Sequence, residues 1–268
     1  MNLYSVCVCI KYAVKLVTAG GFCFVLHRSH YFCIMEFTPY IIGIAGGSAS
    51  GKTSFLKEIK KSMPKGSVCV VSQDNYYKPI EEQRVDGNGQ VNFDLPESIN
   101  RVGFYRDLIK INNGEEITIK EYTFNNKNKV PGSIVVQPAP IIIMEGLFIF
   151  HYPEIRKSLD LRVYIDARDN VKFERRLKRD AEERGYPENE VKYQWENHVM
   201  PSYKKYLRPY RDDSHIIITN NRHYTKGMEV LVNHMKAQLP EKFNKRFIKA
   251  KIPAEELQNA ERVISDSL

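Results

Sequence analysis

The sequence predicts an α/β fold in which a parallel five-stranded sheet carries helices on both faces. Five short apolar stretches alternate with helical patterns along most of the chain. The stretch at 67–71 is continuously apolar, as expected for a strand that is covered on both faces of the sheet. A glycine-rich turn separates the first strand from the first helix. The predicted strands lie near residues 41–45, 67–71, 141–145, 161–165 and 215–219.

The glycine-rich turn matches the pattern G-x-x-x-x-G-K-[ST] between a predicted strand and a predicted helix, the context in which this motif binds phosphate. Glycines allow backbone N–H groups to point inward, and the N-terminus of the next helix adds its positive dipole. We expect Lys52 to reach the outer phosphates of ATP and Thr53 to hold Mg²⁺. The predicted ATP-binding residues are Gly46, Gly47, Ser48, Ala49, Ser50, Gly51, Lys52 and Thr53.

Two carboxylates stand where predicted strands end. Asp74 follows the strand at 67–71, and Glu145 ends the strand at 141–145. Parallel sheets bind ligands at the carboxyl ends of their strands. Asp74 could accept a proton from an attacking hydroxyl or orient a Mg²⁺-bound water, and a turn or N-cap aspartate is the alternative. Glu145 occupies the place of a carboxylate that acts on Mg²⁺, and a structural acid is the alternative.

The segments between these strands contain a polar loop, a helix and an insertion. Residues 81–90 form the polar loop, and a helix is expected from Pro96 to about Asn112. Asp94, just before it, either caps this helix or faces a substrate. Residues 115–137 predict an inserted β-hairpin, whose aromatic side chains either pack within it or stack on a flat ring.

A strongly charged helix is expected from Asp169 to Glu183, ending at Arg184 and Gly185. Val171, Phe173 and Leu177 give it a modest apolar stripe, and Arg176 and Arg179 share one face. Such a charge run is usually a solvated face. Followed by a glycine and downstream of a phosphate loop, it also fits a mobile lid at about 169–190 that closes over a transferring phosphate. On the next helix, 188–207, His198 has no partner pattern and is interpreted as structural.

The composition excludes some classes of function but does not identify one. The 268 residues are 43% hydrophobic and 27% charged, and the net charge of +8 suits anionic ligands such as nucleotides. The body lacks the aromatic and basic platform of a nucleic-acid-binding protein. The five cysteines form no C-x-x-C pair, so a zinc site is not expected, and Cys69 is interpreted as a reduced core residue. A cytoplasmic protein without a membrane span in its body fits these features.

From about Tyr40 to His234 the chain resembles the uridine kinase family, within the wider uridine kinase and phosphoribulokinase group. The phosphate loop and four further segments carry this resemblance: Ser72–Tyr77, Asn92–Pro96, Glu145-Gly146, and Arg176 to Arg184 with Gln194. It implies a P-loop kinase domain at 35–240, with a charged tail at 241–268. Residues 1–34 are apolar and acid-free, and are interpreted as a poorly packed upstream extension, although a transit-type presequence or a poor signal peptide would share some of these features.

The resemblance implies transfer of the γ-phosphoryl of ATP to the 5′-hydroxyl of uridine or cytidine with Mg²⁺, as in pyrimidine salvage. It assigns Asp74 as the base, Asp94 and Arg176 as the pair that holds the ribose hydroxyls, and Arg179 and Arg184 as lid arginines near the phosphates. Family members are often tetramers, so a homo-oligomer is among the implied assemblies. Residues around the nucleoside would be Tyr77, Phe93, Tyr122 and Gln194.

Two positions depart from the family pattern. A histidine that recognises the pyrimidine aligns with Lys127, and an arginine after the lid glycine aligns with Tyr186. Because a lysine lacks the flat shape and the acceptor of an imidazole, we expect altered base choice. Two alternatives stay open: a kinase of another small hydroxylated metabolite or sugar phosphate, and a non-catalytic nucleotide-binding relative. A GTPase is less consistent with the sequence, which has no N-K-x-D signature.

Overall fold

A computed structural model describes residues 38–123 and 130–240, so the expectations for residues 1–34 and 241–268 lie outside the described residues. The five predicted strands form one parallel sheet, which confirms the expected α/β fold. Its strands, in chain order, are β1 (Tyr40–Ala45), β2 (Val68–Ser72), β7 (Ile141–Gly146), β8 (Leu161–Asp166) and β9 (Ile216–Thr219). They lie side by side in the order β2-β7-β1-β8-β9.

Helices cover both faces of this sheet. The helices are α1 (Lys52–Ser62), α2 (Arg101–Asn112), α3 (Pro153–Lys157), α4 (Asp169–Arg184), α5 (Glu188–Gln194), α6 (Met200–Ser202) and α7 (Thr225–Ala237). Two apolar clusters result, one with α1 and α7 and the other with α2 and the 148–155 region. Successive residues of β1 alternate between them: Ile42 and Ile44 face α1, whereas Ile41 and Ala45 face α2. This two-sided burial explains why the strands read as continuous apolar runs.

Two antiparallel hairpins lie outside the sheet. The expected insertion contains β5 (Ile117–Lys120) paired with β6 (Ser133–Val136). The polar loop contains a second, unpredicted hairpin, β3 (Arg84–Val85) with β4 (Val91–Asn92). Residues 121–123 of the insertion belong to no strand.

Two expectations about helices were wrong. The helix expected from Pro96 begins at Arg101, because residues 96–98 form a separate 3₁₀ turn and the Asn100 side chain accepts a hydrogen bond from Gly103 N at 2.9 Å as the N-cap. On α4 the buried residues are charged, namely Lys172, Arg176 and Asp180, and the predicted apolar stripe is only half-buried or exposed. Helix α4 therefore turns one row of charged residues inward.

The helix expected at 188–207 is continuous but not uniform. After α5 it passes through the π-helical segment Trp195–Val199, the short α6, and a second π-helical segment, Tyr203–Leu207. Isolated π-helical turns inside α-helices are frequent at functional sites. Within residues 38–123 and 130–240, none of the helices combines the length and the apolar character that crossing a bilayer requires.

Candidate active site

The phosphate loop follows β1 at the centre of the sheet, as its sequence context predicted. Gly51 is the N-cap of α1 and has φ 98°, a left-handed conformation that favours glycine. The side chain of Asn220, which comes just after β9, donates a hydrogen bond to Ser50 O at 2.8 Å. A Cβ added at Gly51 would lie 2.2 Å from Asn220 Nδ2. The phosphate loop is therefore held by a residue 170 positions away, and the motif of the loop gives no indication of this partner.

Lys52 lies across the loop that precedes it. Its Nζ donates to Gly46 O at 3.0 Å and lies 3.9 Å from Glu145 Oε1. Burial lowers the pKa of this ammonium, and the negative charges of Glu145 and Asp74 partly oppose that effect. The cation and both carboxylates therefore share one electrostatic environment.

Glu145 and Asp74 meet at the carboxyl ends of neighbouring strands. The register pairs Ser72 of β2 with Glu145 of β7, and the Ser72 hydroxyl donates to Glu145 Oε2 at 2.8 Å. Burial and the charge of Asp74 raise the pKa of Glu145 to about 7. Burial also raises the pKa of Asp74, against the opposing charges of Lys52, Arg184 and Arg179. Two partly buried acids close together favour the protonated form of each other.

The interpretation of Asp74 as an N-cap is not supported by the structure. Asp74 lies inside the 3₁₀ turn Gln73–Tyr76, and the residue at the N-cap is Ser72. The carboxylate of Asp74 lines the same cavity as Lys52 instead. Likewise, Asp94 does not cap α2, whose N-cap is Asn100, and lines this cavity.

Three arginines of α4 surround one buried carboxylate. Asp180 is fully buried, and its oxygens lie 3.1 Å from Arg176 Nε, 2.8 Å from Arg179 Nη2 and 3.4 Å from Arg184 Nη1. Burial lowers the pKa of Arg184, and the nearby charge of Arg179 adds to this effect. The spacing Arg176, Asp180, Arg184 places all three residues on one face of the helix. The expected lid arginines are thus brought together by a carboxylate that the sequence analysis did not single out.

Arg176 also joins α4 to two other parts of the site. Its Nη1 donates to the hydroxyl of Ser48 in the phosphate loop at 3.0 Å, and its Nη2 donates to Gln194 Oε1 at 2.9 Å. With the ion pair to Asp180, this 6% exposed guanidinium contacts the phosphate loop, the lid helix and α5 at once.

Three aromatic rings in mutual contact line the same cavity as the phosphate loop. The centroid of Tyr77 lies 6.1 Å from that of Phe93 and 5.3 Å from that of Tyr122. Backbone N–H of Tyr122 donates to Asn75 Oδ1 at 3.2 Å, which ties the insertion to the end of β2. The rings therefore offer apolar faces beside the carboxylates.

Most of the predicted site residues line one cavity of about 640 Å³. Its lining includes nearly all of the predicted site residues, with the exceptions of Gly46, Gly47 and Ser50 of the loop backbone and of Lys127, which lies outside the described residues. The predicted residues that line it are Ser48, Ala49, Gly51, Lys52, Thr53, Asp74, Tyr77, Phe93, Asp94, Tyr122, Glu145, Arg176, Arg179, Arg184, Tyr186 and Gln194.

The model of the Phosphoribulokinase / Uridine kinase family matches residues 41–225. The chain belongs to this family. It is a phosphotransferase with an alcohol acceptor, and the family implies ATP-dependent phosphoryl transfer, generally with Mg²⁺.

Two relatives align with about three quarters of this chain. The "Uridine kinase" of Borrelia garinii subsp. bavariensis is 34% identical over 197 residues, which are 74% of this chain and 94% of that protein. The "Uridine-cytidine kinase B" of Dictyostelium discoideum is 28% identical over 204 residues, 76% of this chain and 84% of that protein. A solved structure from Silicibacter sp. TM1040, named after a fructose transport system kinase, has a TM-score of 0.50 at 14% identity, over 67% of this chain and 89% of that one. This last likeness concerns the fold.

Several residues that line the cavity were not singled out as site residues by the sequence analysis. His198, interpreted as structural, lines the cavity and has a partner, Asp86, 112 positions earlier. The tip of the β3–β4 hairpin contributes Gly89–Val91, and α5 contributes Glu190. The turn signal at 86–89 indicated a loop there, but no local pattern links it to a histidine so distant in sequence.

Proposed function

We propose that this chain is an ATP-dependent nucleoside kinase that phosphorylates the 5′-hydroxyl of uridine, cytidine or a related nucleoside, a reaction of pyrimidine salvage. The observation that carries the proposal is the convergence of Asp74 and Lys52 on one cavity, which residues of the phosphate loop and aromatic rings also line. The names of the relatives, uridine kinase and uridine-cytidine kinase, support the same acceptor class.

In this proposal each end of the cavity binds one reactant. The loop from Gly46 to Thr53 holds the ATP phosphates, with Lys52, Arg179 and Arg184 stabilising the charge on the transferring group. Tyr77, Phe93 and Tyr122 pack on the nucleoside ring, while Asp94 and Arg176 hold the ribose hydroxyls and Gln194 completes that wall. The acceptor would then place its hydroxyl beside Asp74.

Asp74 acts as the general base. It takes the proton of the 5′-hydroxyl as the oxygen forms a bond to the γ-phosphorus and the bond from that phosphorus to the bridging oxygen of ADP breaks. Burial supports this role, because it raises the pKa of Asp74 and a more basic carboxylate is a better proton acceptor. The positive charges of Lys52, Arg184 and Arg179 oppose this rise in pKa and favour the ionised form.

The cavity also fits Mg²⁺. Thr53 and Glu145 present a hydroxyl and a carboxylate to the same space, and Mg²⁺ prefers oxygen ligands while keeping several waters and substrate phosphate oxygens. These two residues would hold the ion, which neutralises phosphate charge when bound.

Base selectivity is the finer part of the proposal. The position that would carry a base-contacting arginine holds Tyr186, which lines the cavity. Glu190 lines it too, and its carboxylate accepts a 3.3 Å hydrogen bond from Gln194 Nε2. Replacing a cation by a phenol changes which hydrogen-bonding groups on the edge of a base find a partner. We propose that this enzyme discriminates among bases differently from uridine kinases with the arginine.

The experiment is a panel of acceptors, assayed for ATP consumption with Mg²⁺: uridine, cytidine, adenosine, guanosine and a sugar phosphate. Asp74→Asn should lose roughly 10²- to 10⁴-fold in kcat while the Kd for a non-hydrolysable ATP analogue stays the same. Asp212→Asn, at an exposed aspartate, serves as the control.

Equal kcat for wild type and Asp74→Asn would overturn the role of Asp74. Turnover of the sugar phosphate alone would overturn the nucleoside proposal. Uridine and cytidine as the best acceptors, with the usual selectivity of uridine kinases, would overturn the altered base choice.

A further inference from the structure

The cavity lining includes residues to which the proposed reaction gives no role. The tip of the β3–β4 hairpin, Gly89–Val91, lines the cavity, and so does His198, four residues after Gln194. These two segments are joined by a hydrogen-bonded cluster of four residues, which we call the clasp: Asp86, Asn88, Tyr193 and His198.

Asp86 is the centre of the clasp. Its Oδ2 accepts hydrogen bonds from the Tyr193 hydroxyl at 2.6 Å and pairs with His198 Nε2 at 2.7 Å. Its Oδ1 accepts from the backbone N–H groups of Asn88 and Gln90, both at 2.9 Å. One carboxylate therefore fixes the hairpin turn from within and binds it to the helix on the far side.

Two further contacts tighten the same junction. Asn88 Nδ2 donates to the Tyr193 hydroxyl at 2.7 Å, so the hairpin reaches this residue twice. The rings of Tyr193 and His198 meet edge to face with centroids 5.7 Å apart. The His198 side chain is 2% exposed and that of Asp86 is 19% exposed, so the bond between them is partly shielded from solvent.

Two residues of the clasp, Tyr193 and His198, flank Gln194 in sequence, and Gln194 contacts Arg176. Gln194 stands directly after Tyr193 and four residues before His198, at the point where α5 changes to the π-helical segment. Its Oε1 accepts from Arg176 Nη2 at 2.9 Å. Fixing Tyr193 and His198 therefore fixes the turn of helix from which Gln194 projects.

We propose that Asp86 and His198 are positioning residues for the acceptor substrate. They hold the hairpin tip and Gln194 as one rigid wall around the nucleoside, and they act through this wall without touching the phosphates. The proposal rests on the proposed function, since it assigns this end of the cavity to the acceptor.

The test compares steady-state kinetics of His198→Phe, Asp86→Asn and Tyr193→Phe with those of Arg84→Ala. Arg84 is a matched control: it lies on the same hairpin but pairs at 3.6 Å with Glu97, and both side chains are largely exposed. We expect the acceptor KM to rise roughly 10-fold in His198→Phe and Asp86→Asn, the size expected for one hydrogen bond to a charged group. The KM for ATP should change less than about twofold. Tyr193→Phe is the mildest change and should raise the acceptor KM by a smaller factor, again with little change in the KM for ATP.

The double variant Asp86→Asn/His198→Phe should be no worse than the more impaired single variant, because both remove one shared bond. Hydrogen exchange gives a readout without any acceptor: amides at 84–92 should exchange faster in His198→Phe than in the wild type and in Arg84→Ala. Unchanged exchange, equal rises in both KM values, or a lower Tm with both KM values unchanged would each overturn the proposal. A wild type that phosphorylates no nucleoside would refute the proposed function instead, and the KM split would then be measured with the acceptor that the panel identifies.

Discussion

Arg176 donates a hydrogen bond from Nη1 to the Ser48 hydroxyl across 3.0 Å, although the two residues are 128 positions apart. The bond joins the lid helix α4 directly to the phosphate loop. Since the same guanidinium also donates to Gln194, one side chain joins the phosphate loop to α5. In the proposed function, this buried contact would link the ATP site to the acceptor site.

We expect Ser48→Ala to lower kcat/KM for the acceptor by about 5- to 10-fold, because Arg176 loses one of its three partners and its position becomes less fixed. Ser48→Thr keeps a hydroxyl and should restore most of the loss. Steady-state kinetics with each substrate varied in turn would measure both. A Ser48→Ala enzyme with unchanged acceptor kinetics would show that Arg176 needs no contact with the loop.

Asp180→Asn should destabilise the fold and impair catalysis together. Removing one charge from a buried ion-paired group typically costs about 3–5 kcal/mol, since the remaining charges stay buried without compensation. Here three arginines would lose their shared carboxylate. Urea unfolding would measure the change in the free energy of unfolding. A lower kcat with saturating substrates would indicate that the arginines are displaced.

Glu188→Gln is the control for this variant. It breaks an exposed pair between Glu188 and Lys192, both on α5, and should leave the free energy of unfolding close to that of the wild type. Equal stability of Asp180→Asn and Glu188→Gln would mean that the arginines are held by other contacts.

Gly51→Ala should abolish tight ATP binding for two separable reasons. The added Cβ would lie 2.2 Å from Asn220 Nδ2, and φ of 98° disfavours any residue with a Cβ by roughly 1–2 kcal/mol. The double variant Gly51→Ala/Asn220→Ala removes the steric conflict only. Its Kd for an ATP analogue should therefore lie between those of Gly51→Ala and Asn220→Ala.

Asn220→Ala alone tests the support of the loop. It leaves Ser50 O without its 2.8 Å hydrogen bond and should cost about 1–2 kcal/mol of stability. If the double variant binds no better than Gly51→Ala, backbone strain accounts for the whole effect and the contact with Asn220 for none of it.

Tyr186→Arg should move base selectivity toward that of uridine kinases. Tyr186 directly follows Gly185 and lines the cavity. An arginine there could donate a hydrogen bond to a pyrimidine carbonyl, and it would add a positive charge to a cavity lining that includes Glu190. We expect the ratio of kcat/KM for uridine to that for adenosine to rise by about 10-fold. Tyr186→Phe keeps the ring without a charge and should leave the ratio near that of the wild type. A constant ratio in Tyr186→Arg would place the base out of reach of this residue.

Local sequence was sufficient wherever a signal and its cause lie within a few residues. The phosphate loop follows from its spacing between a strand and a helix, and the five strands follow from apolar runs bounded by polar turns. The end of α4 was indicated by Gly185, which adopts φ 70° at the C-cap. The start of α2 was missed because the capping bond of Asn100 outweighed the proline signal at 96–98.

Local sequence did not indicate which polar side chains would be buried. A stripe of charges on α4 reads as a solvated face unless a partner surface is known, and here that partner is the phosphate loop, through Ser48. His198 carries no pattern of its own because its partner, Asp86, is brought to it by the fold.

The sequence by itself determined the sheet, the phosphate loop, the lid helix and the chemical types of the residues that meet in the site, because periodicity, turn chemistry and motif spacing act over short distances along the chain. Only the tertiary structure decided that Asp180 gathers three arginines, that Asn220 supports the loop, and that Asp86 holds the hairpin to Gln194's helix. These contacts depend on which surfaces pack together, and packing sets the burial that makes each charge pair strong.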